Sequence, residues 1–370
     1  MPVPAVSRQI VFPERDVIAL DTIAVPAPGP DDVLVRIRRV GICATDLHLL
    51  AGHIGNPFPL VPGHEFVGEV AAIGTRAGLD RSLSIGDRIA VEMLLPCRAC
   101  AWCRSGRYNL CAHDDPSAGL PIGRQLGVNI PRTTGHGLWG GYAEYLMAPQ
   151  EAIIHRLPDD LSWDAAVLVE PYAVAHRAVA RAGIRPGDNV VVVGPGPVGL
   201  LTVAAARSAG AARIVVAGTR AARLEPALRF GADAVVNIRE AADPIAAVRD
   251  ALGGAGADAA IETAGVPSAQ QDAVRLVRRG GRVVLAGACG AHAELTLHAD
   301  EDLLTREIDV LPSFLSAGGF EPAIAGLARG EAPYEELVTH TLPLAEAERA
   351  FALIASRDHS VIKIALDPTR

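Results

Sequence analysis

Residues 189–210 read NVVVVGPGPVGLLTVAAARSAG. Asn189 to Val193 is a short run of valines, too brief for a buried helix and rich in β-branched side chains, so it reads as a strand covered on both faces. Gly194-Pro195-Gly196-Pro197-Val198-Gly199 follows, and an Ala/Leu-rich stretch with helical spacing comes next. A G-x-G-x-x-G pattern alone says little. Between a strand and a helix it is the fingerprint of a dinucleotide site. The first glycine permits the tight turn, the second lets backbone approach a pyrophosphate, and the third lets helix pack closely on strand. Pro197 and Val198 open the helix, whose unpaired amides then face the phosphates.

Downstream, RIVVAG, AVVNI, DAAIETAG, RVVLAGAC and EIDVLPS read as strands. They alternate with helical stretches through RLEPALRFGA, DPIAAVRDALGG and AVRLVRRG. Strand–helix alternation predicts a doubly wound parallel sheet, an α/β Rossmann domain, here over residues 166–311. Ala286 and Gly287, at the end of one strand, join the glycine-rich turn as candidate cofactor contacts. An NAD site usually carries an acid about twenty residues after that turn, where it binds the ribose hydroxyls. Here the second strand runs into Gly218-Thr219-Arg220, with Arg223 a turn further on. Glycine leaves room, threonine can donate, and arginine makes charge-assisted bonds to a phosphate. The expectation is NADP in preference to NAD, with use of both as the alternative.

Upstream, residues 1 to about 92 read as strands and turns. VLVRIRRV alternates as a half-buried strand does, and FVGEVAAIG and GDRIAVE are further strands between Gly-rich turns. Within this β-rich part, Cys43, Thr45, Asp46, His48, His64 and Glu65 gather the side-chain types that zinc takes as ligands. Gly63 supplies a sharp turn that presents His64 and Glu65 together. Cys97, Cys100, Cys103 and Cys111 come next. Two-residue gaps and one longer gap let four thiolates close a tetrahedron around one zinc, leaving no position for substrate, so this reads as a structural site. The loop from Ala112 to Trp139 carries His113 and His136, read as loop histidines rather than ligands. Glu170 stands in the apolar run AAVLVEPYAVA, just before Pro171, which interrupts its helical pattern. A buried acid needs a partner or a metal. Cys289, at a strand end, reads as an inert buried thiol.

GICATDLH, PLVPGHEFVGEV, the four cysteines, GGYAEY, VEPYAVAHRAV and VVVGPGPVGL together resemble the zinc-containing medium-chain alcohol dehydrogenases, most of all their sorbitol and threonine dehydrogenase branch. The motifs fall in the family's order and span nearly the whole chain. The resemblance implies a GroES-like catalytic domain over residues 1–165 with a structural-zinc lobe at 97–111, and a tail, 312–370, that crosses back to complete it. It implies two zinc ions per subunit, with Cys43 and His64 binding the catalytic one. Glu65 and Glu170 compete for the third place. Asp46 would orient the His64 ring. Thr45 would take the alcohol proton and pass it through the cofactor ribose to His48. The reaction implied is hydride transfer between a secondary alcohol or polyol and NAD(P), in a homo-oligomer, tetramer or dimer. The loop 112–139 matches the family least well and is where substrate preference is expected.

Composition narrows the alternatives. The chain has 370 residues, half of them hydrophobic, enough for two cores. A net charge of -8 with no basic block opposes a nucleic-acid or anionic-membrane partner, and with it a DNA-binding redox sensor. No apolar run is long enough to span a bilayer. The N-terminal MPVPAVSRQIVF lacks the pattern of a signal peptide. Four clustered cysteines without an export signal fit metal binding in a reducing cytoplasm better than disulfides. A zinc-free quinone reductase of the same superfamily would lack the set Cys43, His64 and Glu170.

Overall fold

The computed structural model describes residues 2–54, 57–115, 123–290, 293–356, 358 and 360–370. In chain order the strands are β1 (Val6–Val11), β2 (Ala19–Ala24), β3 (Val33–Gly41), β4 (Glu65–Ile73), β5 (Arg88–Val91), β6 (Tyr145–Ala148), β7 (Ile154–Arg156), β8 (Asn189–Val193), β9 (Arg213–Gly218), β10 (Ala234–Asn237), β11 (Ala257–Glu262), β12 (Val277–Leu285), β13 (Asp309–Pro312), β14 (Val338–Pro343) and β15 (Lys363–Asp367). Two compact units result. One comprises Met1–Glu170 and Val338–Arg370, the other Pro171–Leu337. No helix among the described residues is long and apolar enough to cross a membrane.

The first unit is built on a mixed sheet in the order β14-β15-β3-β4-β5-β7, with β6 pairing β3. In β3 the residues Val33, Leu34, Val35, Ile37 and Val40 are fully buried, while Arg36, Arg38 and Arg39 keep their heads at the margin. Arg39 pairs with Asp164 at 2.8 Å and with Asp367 at 2.9 Å, fastening β15 to the sheet. Register positions the site. Gly41 of β3 faces Glu65 of β4, and on its other side β3 meets β15 with Gly41 opposite Ala365. The residues just after β3, at the start of β4 and at the start of β15 therefore converge.

The second unit carries a parallel sheet in the order β10-β9-β8-β11-β12-β13. The order reverses between β8 and β11, and ligands of such sheets bind at the carboxyl ends of the strands there. Val190, Val191 and Val192 have no exposed surface, as a central parallel strand requires.

Three local expectations differ from the structure. Pro171 does not interrupt its helix, Val169–Ala182. It occupies the first turn, where an amide has no intrahelical partner, so proline costs nothing there. The helix expected to reach Gly280 ends at Leu276, and Val277 already pairs with Ala257 of β11. The chain does not return to the first unit at residue 312. Asp309–Pro312 is an edge strand on β12, the helix Phe320–Arg329 stays in the second unit, and the return comes at Val338.

Candidate active site and metal centres

In the first unit the helix Ala44–Leu50 starts where β3 ends, with Cys43 as its N-cap. Asp46 closes a capping box. Its Oδ2 accepts the Cys43 amide at 2.8 Å and the Tyr142 hydroxyl at 2.7 Å, while Oδ1 lies 3.5 Å from His64 Nδ1. Thr45 Oγ1 is 3.6 Å from Cys43 Sγ, and His48 follows three residues along the same helix face, half-buried. Gly63 turns with φ +94°, a conformation that favours glycine, and a Cβ there would lie 2.4 Å from the Tyr142 ring. This turn delivers His64 and Glu65 beside Cys43. Sulfur, imidazole nitrogen and carboxylate oxygen come within 4.8 Å of one another.

Three buried acids crowd this place: Asp46, Glu65 and Glu170 are 0%, 1% and 7% exposed. Burial pushes the Glu170 carboxyl up to about 7, Glu65 and Asp46 add to the shift, and His64 and Lys363 oppose it. Glu170 is thus electrically coupled to the cluster but is not one of the three groups drawn within 4.8 Å. Lys363, equally buried, is ion-paired with Glu65 and also faces Glu170. Burial disfavours its charge, yet Glu65 and Cys43 hold it above the ordinary lysine value. Burial likewise lowers His64, and Asp46 with Cys43 more than reverses it. For Tyr142, burial and Asp46 both push the phenol well above its usual value, so it stays a donor. A thiol, an imidazole and a carboxylate with a carboxylate behind the imidazole form a donor set that suits a divalent, borderline-soft cation such as zinc.

The sulfurs of Cys97, Cys100, Cys103 and Cys111 also gather within 4.8 Å. Backbone amides point at them: Cys100 N to Cys97 Sγ at 3.3 Å, Cys103 N to Cys100 Sγ at 3.5 Å, Cys97 N to Cys111 Sγ at 3.5 Å. Amides of Ala112 and Cys103 pull the Cys100 thiol down to about 6, while burial and Cys100 push Cys103 up to about 12. Four sulfurs unable to ionise together without a cation fit a closed tetrahedral metal site. Tyr108 moors this lobe by donating to both oxygens of Glu92, at 3.0 and 2.8 Å, and Glu92 meets His155 Nε2 at 2.9 Å. His113 lies outside both clusters. His136 accepts the Leu138 amide at 3.0 Å and stacks on Trp139. Residues 116–122 of the loop expected to govern substrate preference lie outside the described residues.

In the second unit Gly194 turns with φ +105°, and a Cβ on Gly199 would sit 1.9 Å from Gly194 O. Gly196 caps the helix Pro197–Ser208, Pro197 is its first residue, and Val198 O accepts the Thr202 hydroxyl at 2.8 Å. Gly218 packs on Pro195, so Thr219 and Arg220, both half-buried, stand beside the glycine-rich turn. Arg220 caps the helix Ala221–Arg229, which places Arg223 in its first turn. Burial and then the Arg220 charge lower Arg223, a sign of two guanidinium groups close together. The amides of Ala286 and Gly287 donate to Glu262 O at 2.9 and 3.0 Å.

Comparison with known proteins agrees with this fold. The model of the alcohol dehydrogenase GroES-like domain matches residues 29–159, and that of the zinc-binding dehydrogenase family matches residues 197–329. The sorbitol dehydrogenase of Bacillus subtilis (strain 168) is 34% identical over 372 residues, covering 100% of this chain and 99% of its own. The chain belongs to the zinc-type medium-chain alcohol dehydrogenases, in the sorbitol dehydrogenase-like branch. Two solved structures are similar along nearly the whole chain. A protein of Sinorhizobium meliloti 1021 described as a zinc-binding dehydrogenase and bound to NADP has a TM-score of 0.84 at 29% identity, covering 99% of this chain and 100% of its own. A protein of E. coli CFT073 described as a short chain alcohol dehydrogenase and complexed with NADH has a TM-score of 0.85 at 27% identity, covering 98% of this chain and 100% of its own.

Sequence reasoning missed four residues of this dehydrogenase. Lys363 carried the same signal that flagged Glu170, a charge within an apolar run, VIKIAL. Tyr142 lay within the quoted GGYAEY, but nothing in the sequence joins it to Asp46. Glu262 ends β11 and Thr263 follows it. Glu262 Oε1 accepts the Gly265 amide at 2.7 Å, and the Thr263 hydroxyl donates to Gly194 O at 2.8 Å. A lone acid in DAAIETAG was the available signal for Glu262.

Proposed function

We propose that this chain is a zinc-dependent oxidoreductase that interconverts a secondary alcohol or polyol with its carbonyl compound, using NADP in preference to NAD. The observation that carries the reading is the buried trio Cys43, His64 and Glu65, with Asp46 behind the imidazole. Cys43 and His64 are the metal's fixed ligands, and Glu65 and Glu170 share the third place. Zinc, when bound, is a Lewis acid that eases loss of the alcohol proton. The nicotinamide coenzyme supplies the hydride chemistry. The chain's own part is to bind, orient and move that proton. Thr45 Oγ1, next to the Cys43 sulfur, receives it, and half-buried His48 is its outlet to solvent. Lys363 is ion-paired with Glu65.

A second zinc in the four-cysteine lobe is structural, because four thiolates fill a tetrahedron. Gly218, Thr219 and Arg220 beside the phosphate-binding turn support NADP, and relatives solved with NADP and with NADH make NAD the fallback. The six free cysteines support a reducing, cytoplasmic setting, and the family's habit supports a homo-oligomer. The test is a panel of secondary alcohols and ketones followed at the nicotinamide absorbance, with metal analysis of Cys43→Ala. That variant should stay folded, keep about half the metal and lose turnover. Near-normal activity in Cys43→Ala would remove the reading.

A further inference from the structure

We propose that Tyr142 is a positioning residue of the Cys43–His64 metal centre, acting through Asp46. The inference rests on the reading of Cys43 and His64 as ligands. Asp46 is fully buried, so its carboxylate must find every donor within the protein. Oδ2 already takes two, the Cys43 amide at 2.8 Å and the Tyr142 hydroxyl at 2.7 Å. Two donors fill the lone pairs of one carboxylate oxygen. Oδ1 and His64 Nδ1 face each other at 3.5 Å, both buried and both without a hydrogen-bond partner, so Oδ1 is the acceptor left for that ring to turn to. An imidazole that donates from Nδ1 presents its lone pair at Nε2, so the occupancy of Oδ2 selects the tautomer that can ligate.

Tyr142 is well placed to do this. Its amide donates to Pro62 O at 3.0 Å, the Gly141 amide to Gly63 O at 2.8 Å, and the Ile10 amide to Tyr142 O at 2.7 Å. Its ring lies against Gly63, meets Phe351 edge-on with centroids 6.1 Å apart, and has no exposed surface. The hydroxyl therefore reaches Asp46 from a ring fixed to the very turn that carries His64. One side chain ties the helix cap holding Cys43 to the turn holding His64. Without the hydroxyl, Oδ2 regains acceptor capacity and the carboxylate is free to share itself between two positions.

The test is zinc release from the loaded protein into a chromogenic chelator, with the Cys43→Ala variant used to assign the phase that belongs to this centre. A Cys43→Ala protein that kept both phases would refute the ligand reading itself, before Tyr142 is considered. In Tyr142→Phe the assigned phase should quicken roughly three- to tenfold, less than the roughly ten- to hundredfold expected when Asp46→Asn removes the carboxylate. In the double variant the rate should equal that of Asp46→Asn, because the hydroxyl would have nothing left to act through. An unchanged release rate in Tyr142→Phe, or effects that multiply in the double variant, would overturn the proposal. If Tyr142→Phe does not fold, 3-fluorotyrosine at position 142 keeps the ring and strengthens the donor. Release should then slow, and an equal or faster rate would overturn the proposal.

Discussion

Lys363 and Glu170 are single charges inside apolar runs, and both are buried within one unit. Removing one member of a buried pair leaves the other charge unanswered and costs about 3–5 kcal/mol. Lys363→Met should therefore lower stability by roughly that amount in urea denaturation. Lys363→Met with Glu65→Gln should recover most of it. A single variant as stable as the wild type would show that the pair contributes nothing. Arg220 is a second case where one side chain carries a property. Hydrogen bonds to charged groups contribute about 1.5–3 kcal/mol, so Arg220→Ala should cut kcat/KM for NADP roughly ten- to a hundredfold and spare NAD. Equal losses with both cofactors would refute the role. The gathering of candidate donor residues was open to sequence reading, since zinc chemistry restricts such donors to a few residue types. Partners across the fold, such as Tyr142 with Asp46, depend on register and were hidden.

Among the elements, the four-cysteine lobe gathers its sulfurs within 4.8 Å and is moored by Tyr108 on Glu92. A closed zinc site contributes folding energy directly. Cys103→Ser should lose one metal, keep the metal of the Cys43 centre and melt earlier, as calorimetry with metal analysis would show. Full metal content would contradict the four-sulfur site. The lobe and the glycine-rich turn were legible because spacing along the chain sets their geometry. Pro171 and the true end of the helix at Leu276 were not, since the first depends on position within a helical turn and the second on pairing with β11. β14 also escaped notice, because VTHTLP is half-buried throughout and lacks a clean alternation.

For the molecule as a whole, acid stability should be set in part by the second unit. There His176 stacks on Tyr172 with centroids 4.5 Å apart, and the hydroxyls of Tyr172 and Tyr334 meet at 3.1 Å. Burial, and then the charge of Arg329, lower His176 from 6.5 to about 4. Between these values the unfolded chain binds a proton that the folded chain refuses, so stability rises with pH. It is complete above about 6.5 and lost as pH falls toward 4. His176→Gln should flatten the fall of the urea midpoint over this window, and parallel profiles would refute the assignment. Alternating strands and helices made the second unit readable as a fold. The discontinuity of the first did not show in the sequence, because a strand's partner is not written beside it.

That discontinuity orders events in time. During synthesis residues 171–337 emerge as one uninterrupted stretch and can settle while translation continues. Of the residues before them, β3 to β7 can pair among themselves, but β3 meets β15 only after the ribosome has passed residue 367. Lys363 arrives in that late piece, so Glu65 and Glu170 remain without this counter-charge until then. Nascent chains should therefore acquire the Cys43 centre late, well after the four-cysteine lobe has all its sulfurs outside the exit tunnel.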